Sequence, residues 1–205
     1  MLLYRNLGEY EKAVACANRM PGLEHSREIL LASAADGKEQ AKYTGEALLK
    51  LAALFSRELV CGLFANRRHY ETDMPVQKIK GAIALFELLC EDGNLGEYHD
   101  PVISLYLYLS RVQWERGYHD DAFSSLDQAL EHARALEALL DGREHAYTAP
   151  LVSQVRFAKG PAPVSIAASL PEDWPFWRCP DCSEVEKEIK ADPRWAEWVK
   201  RTQEK

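Results

Sequence analysis

The segment LGEYEKA at residues 7–13 indicates the fold, because the segment GYHDDA at residues 117–122 repeats its pattern. In both segments a glycine is followed five residues later by an alanine and then by a helical pattern. Glycine permits the left-handed backbone that ends a helix, and alanine lets two helices approach closely. The two segments therefore predict two helix–turn–helix units with the same kind of turn.

The residues around the second turn follow the spacing of a packed helix pair. Tyr106 and Leu109 lie on the helix before the turn, and Leu126, Ala129 and Leu130 lie on the helix after it. Spacings of three and four residues place such side chains on one face of a helix. We therefore expect these five residues to be buried between the two helices.

This unit resembles the tetratricopeptide repeat, a helix–turn–helix unit of about 34 residues. The resemblance covers residues 104–133 and part of residues 4–20, whereas the pair at about 40–91 is longer and lacks the glycine–alanine signature. It implies an all-α fold of antiparallel helix pairs stacked as a tetratricopeptide-like superhelix. A generic antiparallel helix pair is the alternative for either match taken alone.

Hydrophobic period predicts the remaining helices. They are expected at about residues 10–20, 25–34, 40–66, 75–90, 101–116 and 120–140. The long helix at 40–66 should bury one stripe, and the next helix should bury a second. These stripes are Leu48, Leu51, Ala52, Phe55, Leu59 and Leu63, then Ile79, Ile83, Phe86 and Leu89. Asp100 and Asp120, each at the end of a Tyr-His-Asp tripeptide, are expected to cap the helices that follow.

A change of composition near residue 145 predicts two parts, a helical-repeat domain at 1–145 and a second part at 146–205. Residues 146–181, which we call the strap, contain six prolines, and this density excludes a long helix. The strap also contains apolar residues that should pack it across the helices: Leu151, Val155, Phe157, Ile166, Trp174, Phe176 and Trp177. Two short helices should close the chain, the first with a Ser183–Glu186 capping box and the second capped at Asp192-Pro193.

The whole layout resembles bacterial helix-turn-helix transcriptional regulators of the xenobiotic-response-element type, whose C-terminal half is tetratricopeptide-like. The segments that carry the resemblance are LGEYEKAVACANRMP (7–21), KIKGAIALFELLCEDGNLGEYHDPV (78–102), DQALEHARALEAL (127–139), YTAPLVSQVRF (147–157) and DPRW (192–195). In such regulators the DNA-binding domain is N-terminal, and this sequence contains no such domain. The resemblance therefore implies a non-catalytic sensor or interaction domain. A free-standing interaction scaffold unrelated to transcription is the alternative.

Composition excludes several classes of function. The 205-residue chain is 47% hydrophobic and carries a net charge of −7, so we expect no direct binding to nucleic acid. No apolar run is long enough to cross a bilayer, and charged residues interrupt the first stretch, so neither a membrane span nor a signal peptide is expected. An odd number of cysteines without a disulfide framework, five in all, predicts a cytoplasmic protein.

Catalytic and metal-binding patterns are weak, and we expect no enzyme activity and no cofactor. Cys179 and Cys182 form a C-x-x-C pair that could supply two ligands to zinc, but a structural zinc site needs four. A turn before a helix explains the pair more simply. A zinc protein or an enzyme that uses these two cysteines stays a third hypothesis.

A concave binding face is the candidate functional site, because stacked helix pairs curve and leave such a face. On a tetratricopeptide frame the first helix of the clear repeat would expose Ser104, Leu107, Arg111 and Trp114 there, and Arg57 of the long helix is a further candidate. An arginine beside an aromatic residue suits a carboxylate or phosphate next to an apolar group. We therefore expect a peptide, a small ligand or a protein partner. Trp114 as interhelix packing and Arg111 as a surface cation is the alternative.

The first repeat is incomplete, since only seven residues precede Gly8 where a repeat would need about 14. We therefore expect either a missing N-terminal part or another surface that completes the repeat. Leu3, Tyr4 and Leu7 are predicted to lie at this apolar end, where a second copy of the chain could cover them in a homodimer.

Overall fold

The computed structural model describes residues 3–4, 7–18, 26–65, 73–174 and 183–204. Besides the helical residues 3–4, the described part of the chain forms nine α-helices, one 3-10 helix and one two-stranded sheet, which confirms the all-α class. The helices are α1 (Tyr10–Ala17), α2 (Arg27–Ala34), α3 (Gly37–Ala65), α4 (Met74–Leu89), α5 (His99–Glu115), α6 (His119–Leu139), α7 (Ile166–Asp173), α8 (Ser183–Ala191) and α9 (Pro193–Gln203). Among the helices in this part of the chain, none has the length and apolar character that a membrane crossing needs.

The short elements connect the helices. The 3-10 helix Gly96–Tyr98 leads directly into α5. Strands β1 (Glu144–Ala146) and β2 (Arg156–Ala158) form an antiparallel hairpin at the start of the strap, with His145 opposite Phe157. Along the chain, each helix from α2 to α5 packs against the next one, and α5 packs most extensively against α6.

The two predicted glycine turns have nearly identical backbone geometry. Gly8 and Gly117 have φ values of 75° and 80°, which lie in the left-handed region that glycine tolerates best. In each turn the amide of the next residue donates to a carbonyl five residues earlier, at 2.9 Å. These next residues, Glu9 and Tyr118, have φ and ψ of −84° and 64°, and of −85° and 62°. The predicted equivalence of the two turns is confirmed for the backbone.

The helix pair α5–α6 is packed as its spacing predicts. Ala122 and Leu126 are fully buried, and Leu109, Ala129 and Leu130 are also buried, whereas Tyr106 is half-buried. The side chains of Gln113 and Ser125 form a buried hydrogen bond of 2.6 Å, and His99 contacts His132 further from the turn. Since positions before the turn pair with positions progressively later after it, the two helices are antiparallel.

The predicted stripe of the long helix α3 is partly wrong. Ala52 and Leu63 are buried as expected, but Leu48, Leu51 and Leu59 are only half-buried. Phe55 is 53% exposed. The buried line of α3 instead follows Leu49, Ala52, Ser56, Val60 and Leu63, because α4 and α5 pack on that side of the helix. For α4 the predicted stripe is confirmed, since Ile79, Ile83, Phe86 and Leu89 are all buried.

Two helix starts differ from the expectation. Helices α5 and α6 begin at His99 and His119, and the N-cap positions are Tyr98 and Tyr118, neither of which makes a side-chain capping bond. Asp100 and Asp120 therefore lie within the first helical turn, so their predicted role as caps is wrong. A carboxylate in this turn still interacts favourably with the positive end of the helix dipole.

The first part of the strap, residues 146–158, packs on α3, α4 and α5. Its Tyr147, Val152, Val155 and Phe157 join one cluster of buried residues with those helices, the first cluster. Leu151 was expected in this packing but is 58% exposed, because it lies in a turn of the strap. Phe176 and Trp177 lie outside the described residues.

The C-terminal helices cover the other side of α5. A second cluster joins α5 and α6 to α7, α8 and α9 through residues that include Leu107, Trp114, Trp174, Trp195 and Trp198. The Trp174 indole N–H donates to the Ser110 hydroxyl at 2.9 Å, and the Trp198 indole N–H donates to the Leu126 carbonyl at 3.1 Å. Helix α5 therefore lies between two cores.

Local caps of the last helices follow the prediction only in part. The Asp192 carboxylate accepts from the Arg194 amide at 2.9 Å, which confirms the predicted cap of α9. The predicted capping box before α8 involves the side chain of Ser183, which lies outside the described residues.

Two glycines of α3 test how closely the strap packs. A Cβ at Gly45 would lie 2.8 Å from Cγ2 of Val155 and 3.3 Å from Cα of Val152, whereas a Cβ at Gly62 would meet no atom within 4 Å. We expect Gly62→Ala to stabilise the chain by a few tenths to about 1 kcal/mol through helix propensity. Gly45→Ala should instead destabilise it by about 1–3 kcal/mol through overpacking.

Urea denaturation of both variants measures the difference in the free energy of unfolding. Equal effects of the two substitutions would contradict the close contact between α3 and the strap.

Candidate functional site

The structure separates the five predicted binding residues. Arg57 and Ser104 line one pocket between α2, α3 and α5. Leu107, Arg111 and Trp114 are only 2%, 4% and 6% exposed, so the prediction that they lie on an open face is wrong. The physical reason is that Trp174 and helices α7 to α9 cover this side of α5.

Arg111 and Trp114, two of these three buried residues, contact side chains within the fold. Nε and Nη2 of Arg111 each donate to Oε1 of Glu115 at 3.0 Å. The Trp114 ring stacks on His119, with centroids 3.9 Å apart, and meets Phe123 edge to face. Interhelix packing, the alternative interpretation of Trp114, therefore describes its position.

The pocket that retains Arg57 and Ser104, which we call the α2–α3–α5 pocket, has a volume of about 750 Å³. This volume is within the range of about 300–1,000 Å³ typical of small-molecule sites. Most of its lining is apolar: Ile29 of α2, Ala47, Leu51, Ala53, Leu54 and Val60 of α3, and Pro101 and Leu105 of α5. Leu54 is 37% exposed, so an occupant of the pocket would remove apolar surface from water.

Charged side chains surround this apolar floor. Lys50 of α3 donates to Glu28 of α2 at 2.5 Å, and this bond lowers the pKa of the Glu28 carboxyl. Lys159 of the strap pairs with Glu97 at 2.7 Å, next to the start of α5. Each of these ion pairs joins two different walls of the pocket. They therefore connect α2 to α3 and the strap to α5 at the rim.

Ser56 is a polar residue in the pocket wall that the sequence did not single out. It is 2% exposed, and its hydroxyl has no hydrogen-bond partner among the described residues. A buried hydroxyl without a partner costs free energy. A ligand group that reached it would satisfy that hydroxyl, so Ser56 is a candidate binding residue.

A histidine pair joins buried His99, on the first turn of α5, to half-buried His132 on α6. Nδ1 of His99 lies 2.8 Å from Nδ1 of His132 on α6, and the Tyr106 ring stacks on His132. Burial, together with the neighbouring His132, lowers the pKa of His99 to about 4. Burial also lowers the pKa of His132, partly offset by the charge of Glu131. The pair is therefore neutral near pH 7, and it joins α5 to α6 through one hydrogen bond.

The contact between the two histidines could not be predicted from local sequence. The Tyr-His-Asp tripeptide attracted attention to His99, but His132 lies 33 residues away on a different helix. Only the antiparallel packing of α5 and α6 brings the two rings together. A separation of 33 residues does not by itself predict that the two histidines are in contact.

The remaining predictions concern metal ions and the N-terminal end. Cys179 and Cys182 lie outside the described residues, and among the described ones no three histidine, cysteine or acidic side chains form a metal cluster. Leu3 and Leu7 are 69% and 64% exposed, as predicted, whereas Tyr4 is half-buried. Self-association through this end stays a prediction.

Comparisons with known proteins do not identify a family for this chain. The chain matches no family model, no curated protein and no solved structure. The fold and the pocket therefore rest on the sequence and the structure of this chain.

Two buried serines provide a matched test of the pocket wall. Ser110 is fully buried and accepts the Trp174 indole N–H, so Ser110→Ala should destabilise the chain by about 1–3 kcal/mol by leaving that donor unpaired. Ser56→Ala removes a hydroxyl without a partner and should stabilise the ligand-free chain by roughly 1 kcal/mol. Chemical denaturation of both variants measures these opposite signs. A marked loss of stability in Ser56→Ala would show that its hydroxyl is already satisfied.

The histidine pair predicts a pH dependence of stability. The unfolded chain takes up a proton at His99 near pH 6.5, whereas the folded chain does so only near pH 4. Stability from the pair is therefore complete above pH 6.5 and falls by up to about 1.4 kcal/mol per pH unit as the pH decreases towards 4. Denaturation curves between pH 7 and 4.5 measure this slope. An equally steep slope in His99→Gln would assign the effect to other groups.

Proposed function

We propose that this chain is the non-catalytic sensor or interaction domain of a transcriptional regulator and that it binds its ligand in the α2–α3–α5 pocket. The observation that carries the proposal is the composition of the pocket walls. Residues from α2, α3, α5 and the strap all line it, so one occupant would contact segments that lie more than 100 residues apart. Such an occupant can change the relative positions of those segments, as a sensor requires.

Helix α5 offers a route from the pocket to the C-terminal helices. Its first two turns, with Asp100, Pro101 and Ser104, line the pocket, while Leu107 and Trp114 pack into the second cluster. A shift of α5 on ligand binding would therefore alter its contacts with α7 to α9. We propose that this is how occupancy of the pocket reaches a DNA-binding partner or domain.

The finer architecture and the location are parts of the same proposal. A tetratricopeptide-like superhelix is supported by the matching turns at Gly8 and Gly117 and by the successive packing of α2 to α5. A cytoplasmic location is supported by the free thiols of Cys16, Cys61 and Cys90, since reducing compartments keep cysteines unpaired. The net charge of −7 favours DNA contact by another domain or polypeptide rather than by these helices.

A free-standing protein-interaction scaffold is the second candidate. The exposed apolar side chains of Leu3, Leu7 and Val14 near the N-terminal turn favour it, because all three are more than half exposed. Exposed apolar residues that lie together often mark protein contacts. This candidate needs neither the pocket nor any link to DNA.

Crosslinking in cells of the source organism distinguishes the two candidates. The chain is tagged at its own locus and crosslinked, and both the recovered DNA and the recovered proteins are identified. A transcriptional sensor should recover a small number of promoters together with a helix-turn-helix protein. Recovery of protein partners without promoter DNA would support the scaffold and contradict the regulator.

A substitution in the pocket tests whether regulation of the recovered promoters depends on this site. Ser104→Trp places a large ring in the pocket, whereas Ser124→Trp places the same ring on an exposed position of α6. We expect only Ser104→Trp to change transcription of the genes next to the recovered promoters. Equal transcription in both variants would show that the pocket is not needed for the regulatory function.

A further inference from the structure

The cations at the rim of the α2–α3–α5 pocket differ in how firmly they are held. Lys50 and Lys159 pair with Glu28 and Glu97 on other walls, so moving either lysine would break a connection between two elements. Arg57 instead pairs with Glu58, its neighbour in the chain. Of these three cations, Arg57 is therefore the one that can move without breaking a contact between two elements.

The pairing of Arg57 is weak by its geometry. The side chains of Arg57 and Glu58 are 65% and 66% exposed, and Nε and Nη2 of the arginine contact one carboxylate oxygen at 3.0 and 2.7 Å. Exposed ion pairs contribute at most about 1 kcal/mol, because water screens the charges. The guanidinium can therefore turn towards an occupant at little cost and bind a carboxylate through two parallel hydrogen bonds.

The negative charges of the acidic groups at the pocket are compensated within the chain. Glu28 and Glu97 are paired with lysines. Asp100 lies in the first turn of α5, where the helix dipole stabilises a negative charge. A cationic ligand would meet acidic groups that are already compensated. An anionic ligand would meet Arg57, whose pair with Glu58 is the most exposed of the three ion pairs.

The rest of the pocket fits an apolar body. Leu51, Leu54 and Leu105 provide an apolar floor, and the unpartnered hydroxyl of Ser56 lies in the same wall of α3 as Arg57. Both residues line the pocket from consecutive positions of α3, Ser56 from the buried side of the helix and Arg57 from its exposed side. A hydroxyl can donate to a carboxylate oxygen that the arginine holds.

We propose that the α2–α3–α5 pocket binds an apolar carboxylate, whose apolar part lies on the leucine floor and whose carboxylate is held by Arg57 with Ser56 beside it. The inference rests on the proposal that this pocket is the ligand site. A free organic acid and the C-terminus of an apolar peptide share this chemistry. Both would bind by the same two contacts.

Isothermal titration calorimetry at pH 7.5 with matched ten-carbon probes tests the inference. Decanoate, decanol and decylamine have the same chain and differ in charge, and N-acetyl-leucyl-leucine represents a peptide C-terminus. We expect decanoate or the peptide to bind more tightly than decanol, and decylamine to bind least well. The stronger of the two carboxylates identifies the source.

Variants assign the contact to Arg57. Arg57→Gln should weaken carboxylate binding roughly five- to tenfold, which corresponds to about 1–1.4 kcal/mol, and leave decanol unchanged. Lys42→Gln, the matched control, removes an exposed cation of α3 outside the pocket and should have no effect. Asp100→Asn should leave carboxylate binding unchanged or strengthen it, because it removes a like charge from the rim.

Several outcomes would overturn the inference. Tighter binding of decylamine than of decanoate would mean that the pocket prefers cations. Weaker carboxylate binding in Asp100→Asn would mean that the ligand carboxylate does not lie at this rim. Equal losses in Arg57→Gln and Lys42→Gln would remove Arg57 from the contact. Equal binding of decanol and decanoate would leave an apolar site without charge selectivity, and the proposed function would stand. If no probe bound, the carboxylate inference would fail, and the promoter experiment would decide the proposed function separately.

Discussion

The burial of α5 on almost every side is the constraint on which the rest of the structure depends. Val102, Leu105 and Leu109 belong to the first cluster, while Leu107 and Trp114 belong to the second. A helix in this position needs apolar partners all around it. Helices α3 and α4 with the strap provide them on one side, and α6 to α9 provide them on the other. The pocket forms where the first turns of α5 meet α2 and α3.

The buried polar groups of this arrangement differ in whether they have a hydrogen-bond partner. Along α5, Ser110 is bonded to Trp174, Arg111 to Glu115, and His99 to His132. Each contact satisfies a buried group that would otherwise cost free energy. The Ser56 hydroxyl, the Trp114 indole N–H and the Tyr147 hydroxyl have no partner among the described residues, and of these three only Ser56 lines the pocket. The pocket therefore combines a large apolar surface with an unused hydrogen-bonding group, the combination that a ligand site requires.

Local sequence predicted those features that depend on neighbours in the chain. The glycine turns, the helices and the buried face of α4 follow from residue spacing, because backbone conformation and helical period are local properties. The exposed face of α5 could not be predicted in this way. Whether Arg111 and Trp114 face water depends on Trp174 and Trp198, which lie about 60 to 90 residues later in the chain. Arg57 and Ser104, two of the five residues predicted for a concave face, line one pocket, and its further lining by Ser26 and Lys159 depends on long-range packing.

Helix α5 is the most deeply enclosed of the described helices, and hydrogen exchange measured by mass spectrometry tests this enclosure most directly. Amides of residues 102–114 should exchange most slowly, because opening α5 requires separation of both clusters. Amides of α2, none of whose residues is buried, should exchange much faster. If residues 102–114 exchanged as fast as α2, α5 would not be the enclosed centre of the fold, and the route from the pocket to the C-terminal helices would lose its basis.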